Sequence, residues 1–138
     1  MTDDIEKLKT LLGPPFFDDV GELVEVVFTL YTASLCSENM IIAIKSACEI
    51  TCSDGRPWVW RPEERGRDER VGEPLISDMK GFARLLGAKI RSHEVLPGVK
   101  LRLTFSNGCQ LLLCEDDSGY ESFIIDKKEG PGAAYIVV

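Results

Sequence analysis

The chain has 138 residues, of which 44% are hydrophobic and 28% charged, and it carries a formal net charge of −7. A chain of this length forms one ordinary domain and can bury a core that needs neither a metal nor a disulfide for stability. No apolar run approaches the ~20 residues that cross a bilayer, and the acidic start, MTDDIEKLKT, is unlike a secretory signal. We therefore expect a single soluble, cytoplasmic domain over residues 1–138, without contact to a membrane.

The acidic residues are concentrated near the beginning of the chain. Residues 1–25 contain seven acidic residues and two lysines, a net charge of −5, which leaves −2 for the rest of the chain. A negative surface attracts basic partners and repels nucleic acid, so we expect no direct contact with nucleic acid. The charge has a second interpretation, in which it serves solubility alone.

The first predicted element is a helix over residues 2–12. Ile5, Leu8 and Leu12 repeat at helical spacing and form one apolar stripe, and acidic residues occupy the first turn, where the helix dipole favours them. Two prolines at positions 14 and 15 prevent the helix from continuing.

Two strands are predicted to follow this helix as a β-hairpin. Residues 22–35 are rich in Val, Phe, Leu, Tyr and Thr, a composition that favours a strand, and residues 37–39 supply a turn. Residues 40–52 predict the second strand. Its apolar residues do not alternate strictly, which indicates either a bulge near Lys45 or a helical turn there.

The central part of the chain combines a charged loop with a second helix. Residues 61–73 contain four arginines and five acidic residues with almost no apolar side chain, which predicts a solvated loop. Residues 77–86 predict a short helix whose apolar face packs against a sheet. The residues of that face are Met79, Phe82, Ala83 and Leu86.

From residue 88 onward the chain is predicted to be entirely β. Hydrophobic and polar residues alternate strictly from Val99 to Phe105, which indicates a strand with one buried face, and residues 106–108 give a strong hairpin signal. Together with the first hairpin, this β-meander predicts an α+β fold, mostly antiparallel sheet with two short helices packed on it. The predicted strands of the meander are 89–96, 99–105, 109–114, 120–126 and 134–138.

The sequence contains no recognisable catalytic or metal-binding arrangement. His93 is the only histidine, no cluster of cysteines or carboxylates completes a metal site around it, and its position predicts a surface or edge residue. The cysteines are odd in number and lack C-x-x-C spacing, so we expect reduced thiols. We therefore assign no catalytic residue, no metal and no cofactor, and predict that the protein is not an enzyme. The five cysteines are Cys36, Cys48, Cys52, Cys109 and Cys114.

Trp58 and Trp60 lie two residues apart in the segment RPWVWRP, so they share one face of a predicted edge strand. Two exposed aromatic side chains on one face can form a binding platform, because aromatic residues dominate interface hot spots. The alternative, which we favour, is that the two tryptophans cover one end of the core.

The segment LRLTFSNGCQLLLCEDDSGYESFIID carries a family resemblance. A strand ending in TFSNG, a return strand, an acidic turn and then YESF resemble a pattern in small bacterial domains and in immunity proteins of polymorphic-toxin and contact-dependent growth-inhibition systems. The likeness covers residues 77–126, including the preceding ARLLGAKIRSHEV. The residues that carry it are Leu101, Leu103, Phe105, Gly108, Tyr120, Glu121 and Phe123.

This resemblance implies a protein that binds the C-terminal domain of a cognate toxin and neutralises it. Many such toxins are nucleases with basic surfaces, which an acidic inhibitor can approach rapidly. Two alternatives remain: a small-molecule-binding or regulatory domain with a pocket between helix 77–86 and the sheet, and an enzyme that uses scattered carboxylates or His93. The predicted partner-binding residues are Asp18, Asp19, Glu22, Glu115, Asp116, Asp117, Trp58 and Trp60.

Overall fold

The computed structural model describes residues 2–29, 32–53, 55, 57–60, 80–114, 122–130 and 132–138. In these residues the helix α1 (Thr2–Leu11) precedes ten strands, and a helical turn at residues 80–83 lies between the fifth strand and the sixth. The predicted loop over residues 61–73 lies outside the described residues. The strands are β1 (Leu23–Phe28), β2 (Ala33–Ser37), β3 (Met40–Ile44), β4 (Cys48–Thr51), β5 (Pro57–Trp60), β6 (Ile90–Leu96), β7 (Lys100–Phe105), β8 (Gln110–Leu113), β9 (Phe123–Lys127) and β10 (Ala134–Val137).

The strands form two antiparallel sheets of five strands each. The order of the first sheet is β1-β2-β3-β9-β10, and the order of the second sheet is β5-β4-β8-β7-β6. Strands β1–β5 supply one side of each sheet and β6–β10 supply the other, and the two sides meet where β3 pairs with β9 and β4 with β8. The predicted α+β fold, dominated by antiparallel sheet, is confirmed.

The chain changes sheets between β3 and β4, so the prediction of one strand over residues 40–52 is wrong. The residues whose alternation fails form a corner between the two sheets, and neither of the two predicted features, a bulge within one strand or a helical turn, is present there. The corner is held by the hydroxyl of Ser46, which is buried and donates to the carbonyl of Cys114 at 2.7 Å. Corners of this kind let one chain contribute strands to both layers of a β-sandwich.

The prediction of a single strand over residues 22–35 is also wrong, because this stretch contains β1 and most of β2. The turn between them is closed by Thr29, whose N–H donates to the carbonyl of Thr32 at 2.8 Å. Threonine is itself a good strand former, so the composition of this stretch contains no sign of the turn. The two strands pair with each other as neighbours at the border of the first sheet.

The C-terminal meander is confirmed for β6, β7 and β8, which pair in sequence order. The next strand, β9, does not continue it but lies between β3 and β10 in the first sheet. The side chains of Phe123, Ile124 and Ile125 are consecutive and all buried. A strand that is apolar on both faces suits an interior position better than the border of a meander.

The second predicted helix is described only from residue 80, and its helical residues end at 83. Turns then lead to Gly87. Phe82 and Leu85 are buried, whereas Ala83 and Leu86 are exposed, so the predicted apolar face is wrong in two of its four members. The early end of the helix explains the difference, because the turns that follow break the helical spacing.

The two sheets share one hydrophobic core, to which Leu8 of α1 and Leu12, the residue after this helix, also belong. Cys52 and Cys109, at the ends of the paired strands β4 and β8, are joined by a disulfide bond. The expectation that all five thiols are reduced is therefore wrong for this pair, while Cys36, Cys48 and Cys114 remain thiols. Within the described residues, no helix has the length and hydropathy needed to cross a membrane.

Candidate functional site

Three segments converge at one end of the first sheet: the turn after α1, the β2–β3 turn and the loop after β9. Asn39, in the β2–β3 turn, connects two of them. Its side-chain amide donates to the carbonyl of Glu129 at 2.6 Å, and its side-chain oxygen accepts from the N–H of Glu129 at 3.0 Å. The carbonyl of Asn39 also accepts from the N–H of Lys128 at 3.1 Å. These three bonds fix the β2–β3 turn against the loop after β9.

The third segment, the turn after α1, is held by a buried lysine. The ammonium of Lys127, on β9, lies 2.6 Å from a carboxylate oxygen of Asp19 and donates to the carbonyl of Phe16 at 2.7 Å. It also lies 5.2 Å from the centre of the Phe16 ring, within the range of a cation–π interaction. The Lys127 side chain is completely buried, so the Asp19 carboxylate and the Phe16 carbonyl compensate for the lost hydration of its ammonium group.

The exposed carboxylates of these segments form one group, which we call the acidic end. A Cβ atom at Gly21 would lie 3.1 Å from the side chain of Glu38, so the β2–β3 turn packs directly on the segment between α1 and β1. Lys127 pairs with one member of the group and is itself buried. The members of the acidic end are Asp18, Asp19, Glu22, Glu38 and Glu129, all of them exposed.

The three acidic residues that were predicted near the beginning of the chain lie on one of these segments, between α1 and β1. Asp18 and Glu22 are exposed, whereas Asp19 also has a structural role through its ion pair with Lys127. Sequence reasoning missed Glu38 and Glu129, because their proximity depends on the pairing of β3 with β9. The predicted residues Glu115, Asp116 and Asp117 lie outside the described part of the chain.

The two tryptophans lie on β5 at the border of the second sheet, as predicted. Trp60 is buried, and its ring meets the ring of Phe82 edge to face at a centroid distance of 6.1 Å. Trp58 is half-buried, and the guanidinium of Arg84 lies over its ring, 5.7 Å from the ring centre. The interpretation of the pair as a cover for one end of the core is thus confirmed for Trp60, which is not available as part of a binding platform.

Two groups considered for catalysis, His93 and Cys48, lie in the part of the chain that the structure describes. His93 is half-buried on the border strand β6, where its ring contacts the ring of Phe17 at a centroid distance of 5.0 Å. Burial lowers the pKa of this histidine. Burial also raises the pKa of the Cys48 thiol, which disfavours the reactive thiolate. Among the residues that the structure describes, no group of three or more histidine, cysteine, aspartate or glutamate side chains could hold a metal ion.

A cleft of about 370 Å³ lies between α1 and β10. The small-molecule alternative predicted a pocket between helix 77–86 and the sheet; of that helix and the turns that follow it, the described residues Phe82 and Leu85 are completely buried. The cleft lies on another part of the protein. Its lining residues are Lys7, Leu8, Leu11, Val99, Tyr135, Ile136, Val137 and Val138.

No protein-family model, no curated protein and no solved structure matches the chain.

Proposed function

We propose that this protein binds a basic protein domain through its acidic end, and that the bound domain is a toxin that it neutralises in the cytoplasm. The observation that carries the proposal is the convergence of five exposed carboxylates on three segments that are fixed to one another. Carboxylates grouped in this way create a local negative potential, which steers a positively charged partner toward them.

The attachment of the three segments also supports the proposal. A loop that must be ordered on binding reduces affinity, whereas a preorganised surface avoids that cost. The Asn39 side chain and the Lys127 ammonium already hold the acidic end in one arrangement. The resemblance of residues 77–126 to immunity proteins is a separate argument, and it supplies the proposed identity of the partner.

The test uses a variant that reverses charge at the acidic end without disturbing the buried ion pair. Asp18→Lys combined with Glu22→Lys meets this condition, because Asp19 is left in place to compensate for Lys127. The matched control, Glu6→Lys with Glu25→Lys, changes the net charge equally at two other exposed positions. Both variants and the wild-type protein serve as bait in the native cell extract, and captured proteins are identified by mass spectrometry.

A protein captured by the wild type and the control, but not by the acidic-end variant, is then purified. We expect its association rate with the acidic-end variant to fall by about tenfold at low salt, because charges at an interface act mainly on association. Expression of that protein alone should arrest growth, and co-expression with the wild type should restore it. Equal association of both variants, or a captured protein that leaves growth unchanged, would contradict the proposal.

The cytoplasmic location needs its own test, because disulfide bonds such as Cys52–Cys109 are rare in a reducing cytosol. If the protein acts in the cytoplasm, we expect this pair to be reduced there and to oxidise after isolation. Rapid alkylation during cell lysis, followed by mass spectrometry of the two cysteines, distinguishes the states. A fully oxidised pair in freshly trapped protein would favour an oxidising compartment.

A further inference from the structure

The second candidate site is the border of the first sheet at β10. Three of the four border strands in the described residues carry a feature that discourages the addition of another strand. The pairing of β1 is irregular between Leu23 and Glu25, that of β6 is irregular between Ile90 and Ser92, and β5 begins with Pro57. Strand β10, with the sequence AYIV, contains no charge and no proline, and its pairing with β9 is regular.

The register of β10 shows which of its backbone groups point away from the sheet. Val138 and Phe123 exchange both backbone hydrogen bonds, at 2.9 and 3.4 Å. Because inward-facing and outward-facing residues alternate along an antiparallel strand, Ile136 also faces β9. The N–H and carbonyl groups of Tyr135 and Val137 therefore point outward, in the direction from which an added strand would approach.

The cleft between α1 and β10 lies along this border. One wall is β10, and the other is formed by Leu8 and Leu11 of α1, with Val99 also in the lining. The side chains of Leu11 and Val137 are 40% and 47% exposed. A volume of about 370 Å³ accommodates a few side chains of an extended segment beside the strand.

Lys7 adds a charge preference to this apolar cleft. Its side chain lies on α1 at the cleft and is exposed. A carboxylate on the occupant would complement it. We propose that β10 and α1 bind an extended, mainly aliphatic peptide segment of another protein that carries an acidic residue, and that this segment adds to the first sheet as a sixth strand.

This site is separate from the acidic end. It binds a segment with a negative charge, whereas the acidic end binds a positively charged domain. A test uses a Thr-Val-Thr-Val-Glu-amide peptide that carries fluorescein on its N-terminus, with two matched peptides. In the first, Lys replaces Glu, and in the second, the backbone amides of all the Thr and Val residues and of Glu are N-methylated. Binding is measured by fluorescence anisotropy, and the contacted residues are located by the amide chemical shifts of the protein.

We expect shifts confined to α1 and β10 and a loss of at least about tenfold in affinity for the N-methylated peptide, which cannot donate the backbone hydrogen bonds of a strand. Lys7→Glu should reverse the preference between the Glu and Lys peptides. Val137→Pro removes one outward N–H without removing a bond to β9, and should weaken binding by a similar factor. Val24→Lys, an exposed change on β1, is the control and should have no effect.

Absence of shifts at about 1 mM peptide, where weak complexes already form, would overturn the proposal. Equal binding of the N-methylated peptide would overturn strand addition. A concentration-dependent dimer of the protein alone that Val137→Lys abolishes would instead assign the border to a second copy of the chain. The variant Asp18→Lys with Glu22→Lys should bind the peptide normally, so a failure of the proposal at the acidic end is distinguishable from a failure here.

Discussion

Lys127 places a positive charge inside the protein. Transfer of an ammonium from water to the interior costs several kcal/mol, and this cost is offset only where partners of good geometry surround the group. Asp19 supplies a full negative charge at 2.6 Å, and Phe16 supplies a carbonyl at 2.7 Å. Both partners lie in the turn after α1, so the same contacts that compensate for Lys127 position part of the acidic end.

We predict that Asp19→Asn destabilises the protein more than Asp18→Asn. Removing the Asp19 charge leaves a buried ammonium without its anionic partner, which we expect to lower the free energy of unfolding by about 2–4 kcal/mol, given that Asp19 is partly exposed. Asp18 is exposed and serves as the control. Urea denaturation followed by circular dichroism measures both variants, and equal midpoints would contradict the assigned role of Lys127.

His93 should contribute to the pH dependence of stability. Burial lowers its pKa in the folded protein below the ordinary value of 6.5, so the unfolded chain binds the proton more readily. The contribution of this residue is therefore present above pH 6.5 and is lost as the pH falls from 6.5 through the lowered pKa. Proton NMR should show the single imidazole titrating below 6.5, and His93→Gln should make the fall in stability over this range smaller. A titration midpoint at or above 6.5 would contradict the prediction.

The helical turn at residues 80–83 packs on β5 through a glycine. A Cβ atom at Gly81 would lie 2.6 Å from Cβ and 2.8 Å from Cγ of Trp58, inside normal van der Waals separations. The absence of a side chain lets the turn approach the strand closely, so that Phe82 reaches Trp60 and Phe28 in the core.

We predict that Gly81→Ala lowers the free energy of unfolding by about 1–3 kcal/mol, because the added methyl forces the turn away from β5. Alanine otherwise favours a helix over glycine, so a purely local effect would have the opposite sign. Lys80→Ala, at the exposed neighbouring position, is the control. Thermal denaturation followed by tryptophan fluorescence measures both variants, and stabilisation by Gly81→Ala would show that the close approach is absent.

The elements that could be predicted from the sequence are those whose signals are local. Strict alternation identified β7, and the Ser-Asn-Gly turn identified the β7–β8 hairpin, because pleat and turn geometry act over a few residues. The turn between β1 and β2 and the corner between β3 and β4 could not be predicted. Both consist of residues that also suit strands, so their positions depend on pairing with strands far along the chain.

At the level of the whole molecule, the acidic end could likewise be predicted only in part. The negative charge of residues 1–25 could be read from the sequence, and Asp18 and Glu22 are exposed as expected. The addition of Glu38 and Glu129 could not be predicted, because they meet only after β3 pairs with β9. The role of Lys127 was equally hidden, since a lysine near the end of a strand is ordinarily solvated.

The Cys52–Cys109 disulfide should stabilise the molecule as a whole, because it joins positions 57 residues apart. In the chain-entropy description, a bond that closes a long loop restricts the unfolded state, which contributes about 2–4 kcal/mol. We therefore expect a lower urea midpoint for Cys52→Ser with Cys109→Ser, and the same decrease for the wild type in dithiothreitol. Cys36→Ser, which changes a free thiol, is the control. An unchanged urea midpoint would show that the disulfide does not stabilise the folded protein relative to the unfolded chain.

Because both halves of the chain contribute strands to both sheets, the protein can be divided in an unusual way. A single cut within residues 61–79 would give one fragment with β1–β5 and another with β6–β10, and each fragment would hold strands of both sheets. Neither fragment could complete a layer alone, yet each would present two complementary borders to the other, reinforced by Asp19–Lys127 and Asn39–Glu129. The chain is thus suited to fragment complementation. Two fragments produced separately should recover the fold only when they associate, so the recovered fold would report their association.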